Sequence, residues 1–182
     1  YNVKLYIGKS LEGDKRKGTY VMNESIYIEE MPVTGISISD DCSIYSLRGM
    51  ENDGTAVAKL FQLLADLHIN VNMISKQTYG ENKCTVSFSC TDEQAKDLDK
   101  ALEENELFRE VAVEKQSNLS ILSLVGVGMA TATGVASKVF SILAKEGIMY
   151  YQITTSEISI SVTVKRDDKI KAVIALCEAF GL

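Results

Sequence analysis

The 182-residue chain has no tryptophan, one proline and one histidine, and its four cysteines contain no C-x-x-C pair. The lone His68 leaves little scope for a proton shuttle near neutral pH or for a histidine-bearing metal site. Cys42, Cys84, Cys90 and Cys177 read as buried, reduced thiols of a cytoplasmic protein, and no metal is expected. No apolar run approaches the ~18 residues of a membrane span, and there is no signal-peptide pattern. A basic excess is missing too: 19 Lys and Arg stand against 25 Asp and Glu, for a formal charge of −6. Such a balance argues against nucleic-acid and anionic-membrane partners. What is present is apolar content, at 46% of residues, enough for one or two compact domains. The first residue is Tyr1 rather than Met, which reads as a piece of a longer protein.

Self-comparison reveals a duplication. Leu60-Phe61, Leu64-Ala65 and Ile69 recur as Val139-Phe140, Leu143-Ala144 and Ile148, an offset of 79 residues from Leu60 to Val139. Ser46-Leu47 and Gly49 recur as Ser123-Leu124 and Gly126, an offset of 77 from Ser46 to Ser123, so the second loop is two residues longer. In the first copy the alternation of Ser43–Met50 predicts a strand. Val57, Leu60, Phe61, Leu64 and Leu67 then recur at helical spacing. Val71–Thr78 and Lys83–Cys90 read as strands around a Tyr79–Asn82 turn. Thr91 and Gln94 form a capping box for a helix that faces Ala95, Leu98 and Leu102 inward, and Phe108–Val113 reads as the last strand. The second copy predicts strands at Ser120–Val125, Met149–Ser156 and Ile158–Val164. Its helices run from about Gly134 to Lys145 and from Asp168 to Phe180, the latter with Asp167 as N-cap.

Each copy therefore reads as βαββαβ, an α+β ferredoxin-like sandwich with two helices on one face of an antiparallel sheet. The second copy lacks a closing strand, while a surplus strand, Val33–Ser39, precedes the first. The economical solution lends that strand to the second copy. Domains of 40–116 and of 32–39 plus 117–182 follow, with 1–31 as a linker or tail that contains a polar turn (EGDKRKGTYV) and short strand-like runs.

Candidate chemistry is thin. Ile7–Ser10, "IGKS", resembles the end of a phosphate loop, but Val3 stands where its first glycine should be. His68 aligns with Gly147 just past a helix end, where left-handed backbone is common, and reads as a terminator. Asp40-Asp41 and Asp167-Asp168 read as solvated turn residues, and Tyr150-Tyr151 as strand packing. No catalytic residue is expected. The loop Met50-Glu51-Asn52-Asp53-Gly54-Thr55 remains: it offers backbone N–H groups at a helix N-terminus and has no lysine or arginine. It suits one α-carboxylate better than a phosphate, with Asp53 or Asn72 as acceptor for an α-amino group. A plain capped loop is the alternative.

The stretches "SLRGMENDGTAVAKLFQLLADLHINVNMIS", "LSLVGVGMATATGVASKVFSILAKEGI", "QITTSEISISVTV" and the terminal "ALCEAFGL" resemble the paired ACT domains of aspartokinases, over about Pro32 to Leu182. Asn2–Val21 resembles the last strand region of that family's catalytic domain. The resemblance implies a regulatory region that binds an end-product amino acid and inhibits phosphorylation of aspartate, on the route to lysine, threonine and methionine. It further implies a homodimer through ACT–ACT pairing with effectors at the seams. ATP and Mg belong to the catalytic domain alone. Carried over by residue, the effector site comprises Met50, Asn52, Asp53, Gly54, Thr55, Ala56 and Val57, facing Asn70, Val71, Asn72, Gln77 and Thr78. A second site corresponds to Met129, Val135, Ala136, Met149, Tyr150, Ser156 and Glu157, which Tyr150 is expected to close. Asn72 departs from the aspartate of many relatives. Lysine is the first expectation and threonine the second. An amino-acid-sensing ACT module of another output protein, or a dimerisation-only module, are the alternatives.

Overall fold

The computed structural model describes residues 5–8, 19–21 and 31–182. Much of the expected linker, including the strand-like run Glu24–Glu30 and most of the polar turn, lies outside them. Strands β1 (Leu5–Ile7) and β2 (Thr19–Val21) form an antiparallel ribbon of their own.

The remaining strands are β3 (Gly35–Glu51), β4 (Ile74–Tyr79), β5 (Lys83–Cys90), β6 (Ala112–Val125), β7 (Tyr150–Thr155) and β8 (Ser159–Lys165). They build one antiparallel sheet in the order β4-β5-β3-β6-β8-β7. Helices α1 (Thr55–Asp66), α2 (Asp92–Glu104), α3 (Val135–Lys145) and α4 (Lys169–Phe180) complete the fold.

Two long strands hold the halves together. Gly35–Ser39 pairs with Ile121–Val125, and after a register shift around Cys42 the same strand pairs Ile44–Arg48 with Ala112–Gln116. The surplus strand and the strand at Ser43–Met50 are thus one element, as are the strands expected near Val113 and at Ser120–Val125. At each junction one non-glycine residue takes a positive φ, Asp41 at 70° and Asn118 at 61°. Aspartate and asparagine tolerate that conformation, so each crossing is a bulge inside a continuous strand rather than a turn. Other boundaries also move. Glu106–Phe108 is a 3-10 turn, capped by Asn105 Oδ1 on the Leu107 N–H at 3.0 Å, and its Phe108 is buried. β4 begins at Ile74 rather than Val71. Asp167 does not cap α4, which continues from a 3-10 turn at Arg166–Asp168.

Helix signals are realised closely. The capping box of Thr91 and Gln94 is formed, and Ala95, Leu98 and Leu102 are buried. α1 buries Ala56, Leu60 and Leu64. His68 ends it at φ 56°, with the Ile69 N–H reaching back to Leu64 O at 2.8 Å. Gly147 ends α3 at φ 66° with the matching bond from Ile148 to Leu143. One core packs α1 and α2 against β3 and β5, a second packs α3 and α4 against β6 and β8, and a small third cluster of Cys42, Ile44, Met73, Leu119 and Ile121 lies at the crossing.

Polar groups lock the crossing. Ser120 and Lys169 both donate to Asp40, each at 2.7 Å. In the other half, Ser43 donates to Asp92 and pairs with Ser117 at 2.8 Å. Arg166 joins the halves, 3.0 Å from Asp92 and 3.7 Å from Asp41. Burial pushes the Asp92 carboxyl up, but Ser43, Asp41 and Arg166 together hold it below the usual carboxylate range. A carboxylate depressed in the folded state stabilises above its unfolded pKa, and that contribution is lost as pH falls through the folded value. Arg166→Met should therefore cost about 0.5–1 kcal/mol at pH 7, the modest size expected for partly exposed ion pairs. It should also flatten the acid limb of stability below about pH 4. Urea melts at pH 7 and pH 3 check both, and a parallel loss at the two pH values would remove Arg166 from the lock.

Candidate functional site

The loop between β3 and α1 is anchored from both sides. A bulge at Gly49 (φ 98°) shifts the β3–β5 register between Arg48 and Met50. Met50 then turns under α1, where it is buried. The Asn52 N–H donates to Asn82 O at 2.9 Å, pinning the loop to the β4–β5 turn. Gly54 takes φ 79° as α1 begins, a conformation open to glycine.

Two N–H groups expected to be open are in use. Asp53 Oδ1 accepts from Thr55 N at 2.9 Å and from Ala56 N at 3.1 Å. The residue expected to meet an ammonium therefore caps the helix, and the expected carboxylate seat is held by the chain's own carboxylate. Asn52 Oδ1 is buried with no hydrogen-bond partner among the described residues. Gly54 and Thr55 are exposed, Ala56 is buried, and Val57 packs half-buried on the core.

The facing residues divide into three places. Thr78 pairs with Cys84, which pairs with Met50, so Thr78 lies in line with the base of the loop. Gln77 alternates to the other face, where it lines a cleft of about 380 Å³ with Ser46, Arg48, Tyr79, Thr85 and Glu114. Neither Arg48 nor Glu114 was singled out from sequence, although period-two alternation from Ser46 places Arg48 there. Asn70, Val71 and Asn72 sit beyond the far end of α1, where the Asn72 N–H donates to Ser89 O at 3.1 Å. The 12 residues of α1 set them roughly 18 Å from the loop at ~1.5 Å per residue.

The second set is differently arranged. Gly134 (φ 85°) begins α3 with no side-chain cap. Val135 is buried, Ala136 is exposed, and Met129 packs half-buried from a 3-10 turn at Val127–Ala130. Tyr150 lies on Phe140, mid-helix, with ring centroids 5.2 Å apart, and Met149 is 65% exposed. Ser156 pairs with Ser159 at 2.7 Å in the β7–β8 turn, and Glu157 is exposed beside it.

Burial pushes the Cys42 thiol up to about 11 and the Cys90 thiol to about 12, so neither is a ready nucleophile. Among the described residues no group of His, Cys, Asp and Glu could hold a metal ion, and no helix is long and apolar enough to cross a membrane.

A family model described as an ACT domain matches residues 122–180. Aspartokinase 2 of Bacillus subtilis (strain 168) is 34% identical over 183 residues, covering all of this chain and 44% of that protein. The ligand-free regulatory subunit of aspartate kinase from Thermus thermophilus is 30% identical, with a TM-score of 0.72 over 82% of this chain and 99% of that one. The Thermus flavus regulatory subunit is 28% identical, with a TM-score of 0.69 over 81% and 98%. The chain spans less than half the length of the curated relatives it matches. Identity of 30% to a regulatory subunit matched over 99% of its length places this chain in the aspartokinase family, as its ACT-domain regulatory region.

Proposed function

We propose that this region binds a free amino acid, lysine first and threonine second, and relays feedback inhibition to an aspartate kinase catalytic domain. ATP, Mg and the phosphorylation of aspartate belong to that domain. The observation that carries the reading is the split site: the loop at Asn52–Thr55 and the residues Asn70–Asn72 stand at opposite ends of α1. Two copies of the chain, set side by side, can supply the loop from one and the Asn70–Asn72 segment from the other. β4 suits such pairing, being an edge strand exposed at all six residues. The division into 40–116 and 32–39 plus 117–182 belongs to the same reading, each unit using one end of β3 and of β6.

In the loop, an entering α-carboxylate exchanges with Asp53 at the Thr55 and Ala56 N–H groups. The released Asp53 carboxylate and the unpartnered Asn52 Oδ1 then accept from the α-ammonium. Inhibition requires the effector to bind the inactive arrangement better than the active one. The segment around Glu24–Pro32 is the physical link to the catalytic domain. Calorimetry of the chain against lysine and threonine tests this, and silence with both would end effector sensing. Asp53→Ala should weaken binding roughly tenfold, the size of one charge-assisted hydrogen bond. Unchanged affinity would remove Asp53 from the site. Dimers that form without effector and release no heat on titration would favour a dimerisation module instead.

A further inference from the structure

On the β6 side of the same loop lies a cavity of about 410 Å³ that shares only Met50 and Ala56 with the effector reading. Its floor is apolar, made by Met50, Ala56, Phe108 and Val111. All four pack into or against the core of the first half, so the floor is fixed. The cavity exists because β3 bulges at Gly49 while the chain returns through the 3-10 turn at Glu106–Phe108 before entering β6. A side chain at Gly49 would meet nothing closer than the Glu110 carbonyl oxygen, 3.8 Å away.

The rim carries two cations and three carboxylates. Lys83 is paired with Glu51 at 2.5 Å, and Arg109 with Glu106 at 3.3 Å. The third carboxylate, Glu110, has no ion-pair or hydrogen-bond partner among the described residues. It lies near enough to Lys83 to help Glu51 raise that ammonium's pKa. Both cations are thus already engaged and one negative charge is left over. An anionic ligand would face three carboxylates, while a cationic one meets Glu110, whose carboxylate makes no direct ion pair among the described residues. An apolar floor beside a carboxylate that makes no direct ion pair among the described residues is the arrangement for an alkyl chain that ends in a positive charge.

We infer that this cavity is a binding site for an aliphatic primary ammonium on an unbranched chain, with the charge at Glu110 and the methylenes over Met50, Phe108 and Val111. The apolar floor and the Glu110 carboxylate lie within one half of the same chain. Binding therefore needs no second copy, unlike the seam proposed for the effector, and its failure or success is separable from that reading.

The test titrates the full chain with n-pentylammonium and, as the charge-reversed control of equal length, pentanoate, followed by amide chemical shifts. The expected result is saturable binding of n-pentylammonium, with shifts at Phe108 and Val111 and a midpoint independent of protein concentration. Pentanoate should leave those amides unmoved. Glu110→Gln should weaken n-pentylammonium at least tenfold, and Glu110→Asp should restore part of the affinity. Glu110 is exposed, so both of its variants are expected to fold. Equal binding of pentanoate, an unaltered midpoint in Glu110→Gln, or no shift with n-pentylammonium would each overturn the assignment.

Discussion

Gly126→Ala should lower stability by about 2–3 kcal/mol, a large effect for one added methyl group. Backbone freedom is not the reason, since Gly126 sits at φ 178°, an extended conformation open to any residue. The reason is contact between two main chains. A Cβ at Gly126 would stand 2.3 Å from the Pro32 carbonyl oxygen and 2.8 Å from Val33 Cα. Neither partner can retreat cheaply. The Gly126 N–H is bonded to Ile158 O at 2.9 Å, and Thr34 N to Val125 O at 2.8 Å. Val33 is itself buried in the second core, so displacing it also exposes an apolar side chain. Gly35→Ala is the control: nothing lies within 4 Å of its would-be Cβ, and its cost should stay within about 0.5 kcal/mol. Urea denaturation of the two variants decides the matter, and equal midpoints would show that Pro32–Val33 does not hold its place against Gly126.

Which features were legible in the sequence follows from how local their causes are. The capping box at Thr91 and Gln94, the buried stripe of α1 and the terminator role of His68 each depend on residues within one or two turns, and each is present. The continuity of β3 and β6 was not legible. Asp40-Asp41 and Ser117-Asn118 carry the same short polar side chains that favour turns, and only pairing across the sheet makes them bulges instead. The site shows the same limit. Period-two alternation already separates Gln77 from Thr78, and the length of α1 already separates Asn72 from the loop. That Asp53 would fold back onto the Thr55 and Ala56 N–H groups is a matter of side-chain geometry, which spacing does not encode. The cavity beside Glu110 arises where the residue 106–111 segment meets the Gly49 bulge, a contact between segments nearly 60 residues apart, from Gly49 to Phe108.

Phe88→Ala should have the largest effect on stability, about 3–5 kcal/mol, the range for emptying a fully buried aromatic site. Phe88 stacks on Tyr45 with centroids 5.6 Å apart and tilts against Phe61 at 6.5 Å, so it joins β5 to both β3 and α1. Tyr45 extends the connection to α2, since its hydroxyl lies 2.8 Å from the Ala95 carbonyl oxygen and is bonded to Asp99. Losing the ring loosens both helices of the first half from their sheet. The damage should not stop there, because β3 and β6 each run through both halves and cannot leave one while staying ordered in the other. Far-ultraviolet and tyrosine near-ultraviolet signals should therefore fall together in one urea transition, at a lower midpoint than the parent. Phe88→Leu, which keeps most of the volume, should cost only about 1–1.5 kcal/mol. A cost below about 1 kcal/mol for Phe88→Ala would mean the site collapses to fill the void. Two separated transitions would mean the halves are independent despite their shared strands.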